Sequence, residues 1–339
     1  MGDAQRRAKR RLSNESFMNL SMLGVLLGFF VAASFIVPTF FSAGGILNII
    51  SQQSYLIIVG IGVTLLLITG NFDLSVGGVA ACAGVLAAYF CQPPLTALSA
   101  PLSNGLGMGV VPATVLTLVI CAGIGAVNAF FVVKVRVASV IVTLGTMYMA
   151  RGIAILVCQG AQRNVGLPDA FEVLGHLDFG GVVALPVVIM VGLVLVSIII
   201  EKRTVFGRRM YFIGANRTAA EISGIRVGRQ VAILYVVTAV LEGFTGIILA
   251  SKFKSGRGYA ASGYEFNALV MTVLGGTSIT GGFGSVISLV IGAMILGILS
   301  TSLNQLGLHP AAQTIAQGAI ILIAVIAQRF ALEQRKRLL

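Results

Sequence analysis

Three ionisable side chains interrupt long apolar runs of this chain: Asp73, Arg151 and Glu242. An ionisable group at membrane depth is costly, and it marks either an ion or solute route or a structural pairing. Both readings stand for all three. Asp73 can cap the helix that follows it, because orphan amides and the positive dipole end favour a carboxylate, or it can serve a gate. Arg151 falls past the middle of its run, where it either snorkels or pairs, or lines a route. Glu242 is expected to face protein rather than lipid. A relay for a coupling ion would be thinly populated with only these groups.

Catalytic constellations are missing. Histidine occurs only at His176 and His309, outside or at the edge of the apolar runs, so there is no buried Ser–His pair and no HExxH. None of the lysines follows a glycine, which excludes the phosphate-cradling GxxxxGK[ST] loop and, with it, ATP hydrolysis in this chain. Cys82, Cys91, Cys121 and Cys158 show no CxxC spacing, so neither a zinc site nor a disulfide framework is expected.

The elements that must position these groups are membrane spans. The chain is 57% hydrophobic and 10% charged, with a mean hydropathy of +0.99. A soluble domain carries about 25% charged residues. Apolar runs near 18–38, 54–70, 75–91, 108–133, 138–158, 184–200, 231–251, 266–281, 284–306 and 310–328 predict an all-α polytopic protein of about ten spans. The run at 18–38 is too long for a signal-peptide core and no small-x-small cleavage site accompanies it, so it reads as a retained first span. Gly24 and Gly28 form a GxxxG, read as close packing within the chain rather than as a dimer seam.

Charge placement sets the topology. The net charge is +12, and eighteen of the 23 basic residues fall before the first span, around Lys134 and Arg136, between 202 and 229, and at the C-terminus. Basic residues in alternate loops are the positive-inside signature. A nucleic-acid partner is not implied, since no basic stripe is interleaved with aromatics. The expected organisation is one transmembrane domain over 1–339. Its cytoplasmic parts are an N-terminal tail (1–17), a loop (201–230) and a C-terminal tail (329–339), and its partner solvent is lipid.

One stretch of the inner loop stands apart, GANRTAAEISGIRVGRQ at 214–230. Thr218 and Glu221 have the spacing of a capping box, and Gly224 can stop the short helix between them. A helix this short is marginal alone. Ile222 and Ile225 offer an apolar grip, and Ala219 and Ala220 permit close approach. From the residues alone, a solvated capped turn and a docking knob both fit.

Here the sequence resembles the integral-membrane subunits of ribose-type ABC importers for sugars and related small polar solutes. Their coupling-helix pattern, G-x-N-x-x-A-A-x-x-S-G-I, is matched by Gly214, Asn216, Ala219, Ala220, Ser223, Gly224 and Ile225. Two further stretches match: GNFDLSVGG at 70–78, and VLGGTSITGGFGS at 273–285, whose glycines permit a broken helix with Thr277 and Ser278 satisfying freed carbonyls. The first carries Asn71 and Phe72 where the family often has a small residue and Ile. The tail GAMILGILSTSLNQLG at 292–307 also reads like the family, and the likeness covers roughly residues 40–330.

The resemblance implies a type II-like importer permease of an inner membrane, with both termini cytoplasmic, that alternates access without catalytic residues, metal or cofactor of its own. ATP and magnesium would be bound by a partner ATPase. Asn216, Thr218, Ala219, Ala220, Glu221, Ser223, Gly224 and Ile225 would contact that ATPase. Asn71, Phe72, Asp73, Ser75, Thr277 and Ser278 are the pathway or gate candidates. A solute-binding protein outside and a second permease copy, identical or a close relative, complete the expected partners. Side and charge suggest Lys252, Lys254 and Arg257, near Glu265, for the binding protein. The expected cargo is a neutral polar solute such as a monosaccharide, polyol or furanosyl compound, because the spans hold Ser, Thr, Asn and Gln but few charges. An ion-coupled secondary transporter is the alternative, and a membrane-embedded enzyme is disfavoured by the missing constellations.

Overall fold

The computed structural model describes residues 42–94, 104–180 and 183–309 continuously, and scattered helical positions within 23–34 and 311–322. Helix α1 (Ala43–Ile68) opens at Ser42, whose hydroxyl accepts from Gly45 N at 3.0 Å. Next come α2 (Val76–Cys91), α3 (Val110–Ala129) with a π-helical turn (Phe130–Lys134), and α4 (Ser139–Cys158). On the opposite side of the molecule from the α3–α4 connection lie β1 (Gln162–Arg163), a 3-10 turn (Asp169–Glu172), α5 (Val173–His176), β2 (Asp178–Phe179) and β3 (Val183–Ala184). The chain continues through α6 (Leu185–Arg203), α7 (Val205–Ala215), α8 (Arg217–Ile222), α9 (Val227–Lys252), β4 (Gly256–Arg257), α10 (Tyr264–Leu274) and α11 (Val286–Gln305). The strands form two short antiparallel ribbons, β1–β4 with Gln162 opposite Arg257, and β2–β3 with Asp178 opposite Ala184.

Residues rich in Val, Ile and Gly hold long helices here because backbone groups in an apolar medium must be satisfied within the segment. Among the described residues, α1, α3 with its π turn, α4, α6, α9 and α11 are long and apolar enough to cross a membrane, and α2 and α10 are shorter apolar helices. Helix α1 is the axis of the bundle, packed by α9, α11, α10 and α6, while α2 lies between α9, α4 and α3. The most apolar stretch of α1 is 83% buried and that of α6 only 22%, so α1 faces protein and α6 faces outward.

Small residues set the closest crossings. A methyl group on Gly246 of α9 would collide with the Ala80 carbonyl of α2, and one on Gly78 with Met147 of α4. A buried contact between Thr64 Oγ1 and Thr272 Oγ1, 3.1 Å apart, ties α1 to α10. The four cysteines are buried and unbridged.

Each expected span from the second to the ninth coincides with a helix, with two corrections. The second begins at Ala43 rather than 54, because Ser42 caps it and the polar stretch at 51–54 continues the helix. The eighth, expected over 266–281, is helical only to Leu274; from Gly275 the chain runs through turns to Ser285. Apolar composition continues through that stretch, but successive glycines in left-handed backbone break the helix. The expected first span, the last span and both tails lie largely or wholly outside the described residues.

Candidate functional site

The site is best built from its shortest helix. Thr204 links α6 to α7: its hydroxyl donates to Ile200 O at 2.5 Å and accepts from Gly207 N at 3.1 Å. Helix α7 ends at Ala215, and Asn216 caps α8 by accepting from Ala219 N at 2.9 Å. The capping box is therefore displaced. Asn216, not Thr218, is the N-cap, and Glu221 reaches Arg217 at 3.4 Å rather than the Thr218 amide. Both registers carry a capping side chain, and Asn216 prevails because its extended backbone lets α8 start two residues earlier.

The other end is a Schellman motif. Gly224 takes φ +79°, Gly224 N donates to Glu221 O at 3.0 Å, and Ile225 N donates to Ala220 O at 3.0 Å. Its apolar contact joins Ile225 and Ala220 in the main core. Ala220 is 2% exposed, whereas Ile222 is 83% exposed. Helix α8 rests on α7 and α9 by its Ala220 side and presents Thr218, Ala219, Glu221, Ile222 and Ser223 outward.

Helix α7 joins this knob to the bundle. A methyl group on Gly214 would collide with the carbonyl oxygen of Ile68, the last residue of α1, and with Gly282 N. Gly282 N itself donates to Ile68 O at 2.8 Å. The ends of α7 and α1 and the 275–285 segment thus meet at one backbone junction, with Gly70 packed against Gly281. Sequence reasoning missed a second tie. Glu201, at the end of α6, accepts from Val286 N at 2.8 Å and lies 2.8 Å from the Tyr211 hydroxyl. That hydroxyl is also 2.7 Å from Gly284 O. A carboxylate at the first amide of α11 suits the positive end of the helix. Nothing local in the sequence signals the contact, since the partners lie 10 and 85 residues away.

Between α1 and α2 the chain is extended, and its polar groups are taken by neighbouring helices. Phe72 N donates to Ser139 Oγ and Leu74 N to Thr143 Oγ1, each at 3.1 Å, while the Tyr235 hydroxyl donates to Phe72 O at 2.9 Å. Asp73 accepts from Ser75 N at 2.8 Å and from the Ser75 hydroxyl at 2.5 Å. It closes a local turn before α2, whose N-cap is Ser75. Asn71, Asp73, Ser75, Thr277 and Ser278 are all buried, and Phe72 partly so. The equivalent break between α10 and α11 is held by Ser278 N donating to Phe283 O at 3.0 Å and by Ser285, which caps α11 by accepting from Ser288 N at 3.1 Å.

A cavity of about 700 Å³ opens beside α8, lined in part by Asn71, Phe72, Arg136, Ser139, Arg217 and Glu221. It places the α1–α2 link beside the knob.

The distal side is occupied by contacts within the chain. Lys254 bonds Asp169 at 3.0 Å and also Glu172; these carboxylates, Glu172 first, hold its ammonium above the ordinary lysine range. Lys252 lies over the Tyr55 ring at 4.9 Å and Arg257 over Phe253 at 5.1 Å. Glu265 is buried, with Gly263 N donating to its Oε1 at 3.2 Å. Arg151 donates to the Ser262 hydroxyl.

A family model described as a branched-chain amino acid transport system permease component matches residues 45–325. The ribose import permease protein RbsC of Escherichia coli K12 is 33% identical over 320 residues, covering 94% of this chain and 96% of that one. The L-arabinose transport system permease protein AraH of the same organism is 35% identical over 313 residues, covering 91% and 90%. A probable ABC transporter permease of Sinorhizobium fredii is 31% identical over 316 residues, covering 93% and 90%. No solved structure matches the chain. With its apolar helices, its broken segments and a match spanning most of its length, the chain belongs to this family of transport-system permease components, as a non-catalytic, multi-pass membrane subunit of an importer.

Proposed function

We propose that this permease carries a monosaccharide or a closely related neutral polyol, and that α8 is the coupling helix on which a partner ATPase docks. The observation that carries this reading is the continuous path from an exposed knob to two broken helices. Ile222 stands 83% exposed on α8, and α7 brings Gly214 against both Ile68 and Gly282. A push on α8 thereby reaches the α1–α2 link and the α10–α11 break through backbone contact. Two sites joined by one rigid element with two available positions is the physical requirement for coupling.

The ATPase would contact Asn216, Thr218, Ala219, Glu221, Ile222 and Ser223, with Ala220, Gly224 and Ile225 shaping the helix from behind. Asn71, Phe72, Asp73, Ser75, Thr277 and Ser278 would act as gate elements that move while packed. The basic loop supports a cytoplasmic α8, and ten crossings would return the C-terminus to that side. A solute-binding protein would deliver cargo to the opposite face, at Lys252, Lys254 and Arg257 or beside them. Two copies of the permease would enclose the route between them. The sugar assignment is supported by the named relatives, which are ribose and arabinose permeases.

The test is ATP-dependent uptake by proteoliposomes holding this permease, its native ATPase and its binding protein. Saturable uptake of labelled ribose, arabinose or a related sugar, lost without ATP, is the expected result. Uptake that proceeds without ATP and follows an ion gradient would move the chain to the ion-coupled class.

A further inference from the structure

Asp73 and Glu242 are both buried, at 2% and 0% exposure, and the structure gives neither a cationic partner among the described residues. They converge on one hydroxyl: Ser75 Oγ lies 2.5 Å from Asp73 Oδ1 and 3.5 Å from Glu242 Oε2. Asn128 Nδ2 donates to the same Ser75 oxygen at 3.3 Å, and Asn128 Oδ1 accepts from Thr146 Oγ1 at 2.5 Å. Asp73 Oδ2, Glu242 Oε1 and, one turn along α9, Thr245 Oγ1 are buried without a hydrogen-bond partner.

Hydrogen-bond arithmetic makes this arrangement short of one proton. A serine hydroxyl has a single proton to give and two lone pairs to receive with. At 2.5 Å that proton is given to Asp73, a separation in the range of an O–H to carboxylate bond. One lone pair takes the Asn128 amide, leaving the other facing Glu242. The Ser75–Glu242 contact is a hydrogen bond only if Glu242 carries a proton and donates it. Two bare carboxylates in one dry site would repel each other and forfeit hydration with nothing returned.

We infer that Asp73, Ser75 and Glu242 form a proton-binding site in which Asp73 is the carboxylate, Glu242 the acid and Ser75 the bridge. Its other neighbours leave it otherwise uncompensated. Tyr235 of α9 is close to Asp73, and Cys121 of α3 is close to Glu242 and to Cys82 of α2. Helix α4 contributes the hydroxyl groups of Thr143 and Thr146 to the cluster. Arg151, also of α4, has its guanidinium against Gly77 and donates to Ser262, and the Glu265 carboxylate of α10 lies against the same glycine. The proton therefore clips the α1–α2 link to α9. Losing it places two like charges across that contact and loosens the link.

The experiment is infrared spectroscopy of the purified full-length permease in lipid nanodiscs, in water and in deuterium oxide, with thermal unfolding followed from neutral to alkaline pH. The expected result is a deuterium-sensitive protonated-carboxyl band at neutral pH, retained in Asp73→Asn and lost in Glu242→Gln. Protonation favours this site in the folded state, so wild type should lose stability as pH rises through its titration, a loss that Glu242→Gln abolishes. Absence of the band in wild type overturns the inference, as does a band that survives both single substitutions and the Asp73→Asn, Glu242→Gln pair. A wild-type protein without the band whose stability instead rises with sodium would make the site a metal-cation site and equally overturn it. If Glu242→Gln fails to fold, the wild-type band and its persistence in Asp73→Asn decide the question.

Discussion

Ala220 and Ile222 are two residues apart on α8, yet one is 2% and the other 83% exposed, so they have opposite duties. Ala220 fills the core beneath the helix, and a large or charged residue there would break the chain's own packing before it met a partner. Ile222 is the residue whose change reads docking alone. The caps give sharper expectations. Asn216→Ala should weaken α8 by about 1 kcal/mol through loss of the bond to Ala219 N, and Thr218→Ala should change it little. Hydrogen exchange of the α8 amides checks this, and equal effects would restore Thr218 as the cap. Gly224→Ala places a Cβ in left-handed backbone, at a cost of roughly 1–2 kcal/mol to the same amides.

At the scale of elements, two contacts hold the inner side. Glu201 ties α6 to the first amide of α11, so Glu201→Ala should lower stability by about 1.5–3 kcal/mol, as expected for losing a bond to a charged acceptor. Thermal unfolding of the detergent-purified protein measures it, and Glu201→Gln, which keeps an acceptor, should lie between. Gly214→Val forces α7 away from Ile68 and Gly282. It should reduce ATP-driven uptake by about tenfold or more, as a barrier increase of about 1.4 kcal/mol would, while leaving ATPase binding in place. Unchanged uptake would mean that the junction transmits nothing.

These elements also show how far sequence could reach. Hydrophobic runs located eight helices because burial in lipid is written residue by residue. They misjudged α10, since glycine and valine score as apolar whether or not they are helical, and only the left-handed turns after Leu274 end it. The α8 helix and its Gly224 stop were legible from local spacing. Its start was not, because Asn216 and Thr218 both carry capping side chains two residues apart. The Glu201–Tyr211–α11 contact and the convergence of Asp73 and Glu242 on Ser75 were hidden, because they are set by helix packing over long sequence separations.

For the whole molecule, the outward faces say where further protein or lipid must lie. Helices α3, α4 and α6 expose long apolar side chains, among them Val119, Tyr148, Leu156 and Ile199, while α1 is enclosed and α9 largely so. Lipid or a further protein chain can cover such residues, and Arg151 of α4 meets its need for a partner within the chain, at the Ser262 hydroxyl. The central claim remains that α8 is where an ATPase meets this permease. It is tested most directly by purifying the wild type and Ile222→Arg from native membranes in mild detergent and identifying the proteins that accompany each. The account predicts that an ATPase subunit accompanies the wild type and is lost from Ile222→Arg, although both permeases unfold at the same temperature. An ATPase held equally by both would contradict it, placing the docking surface elsewhere and leaving α8 as a capped turn of the inner loop.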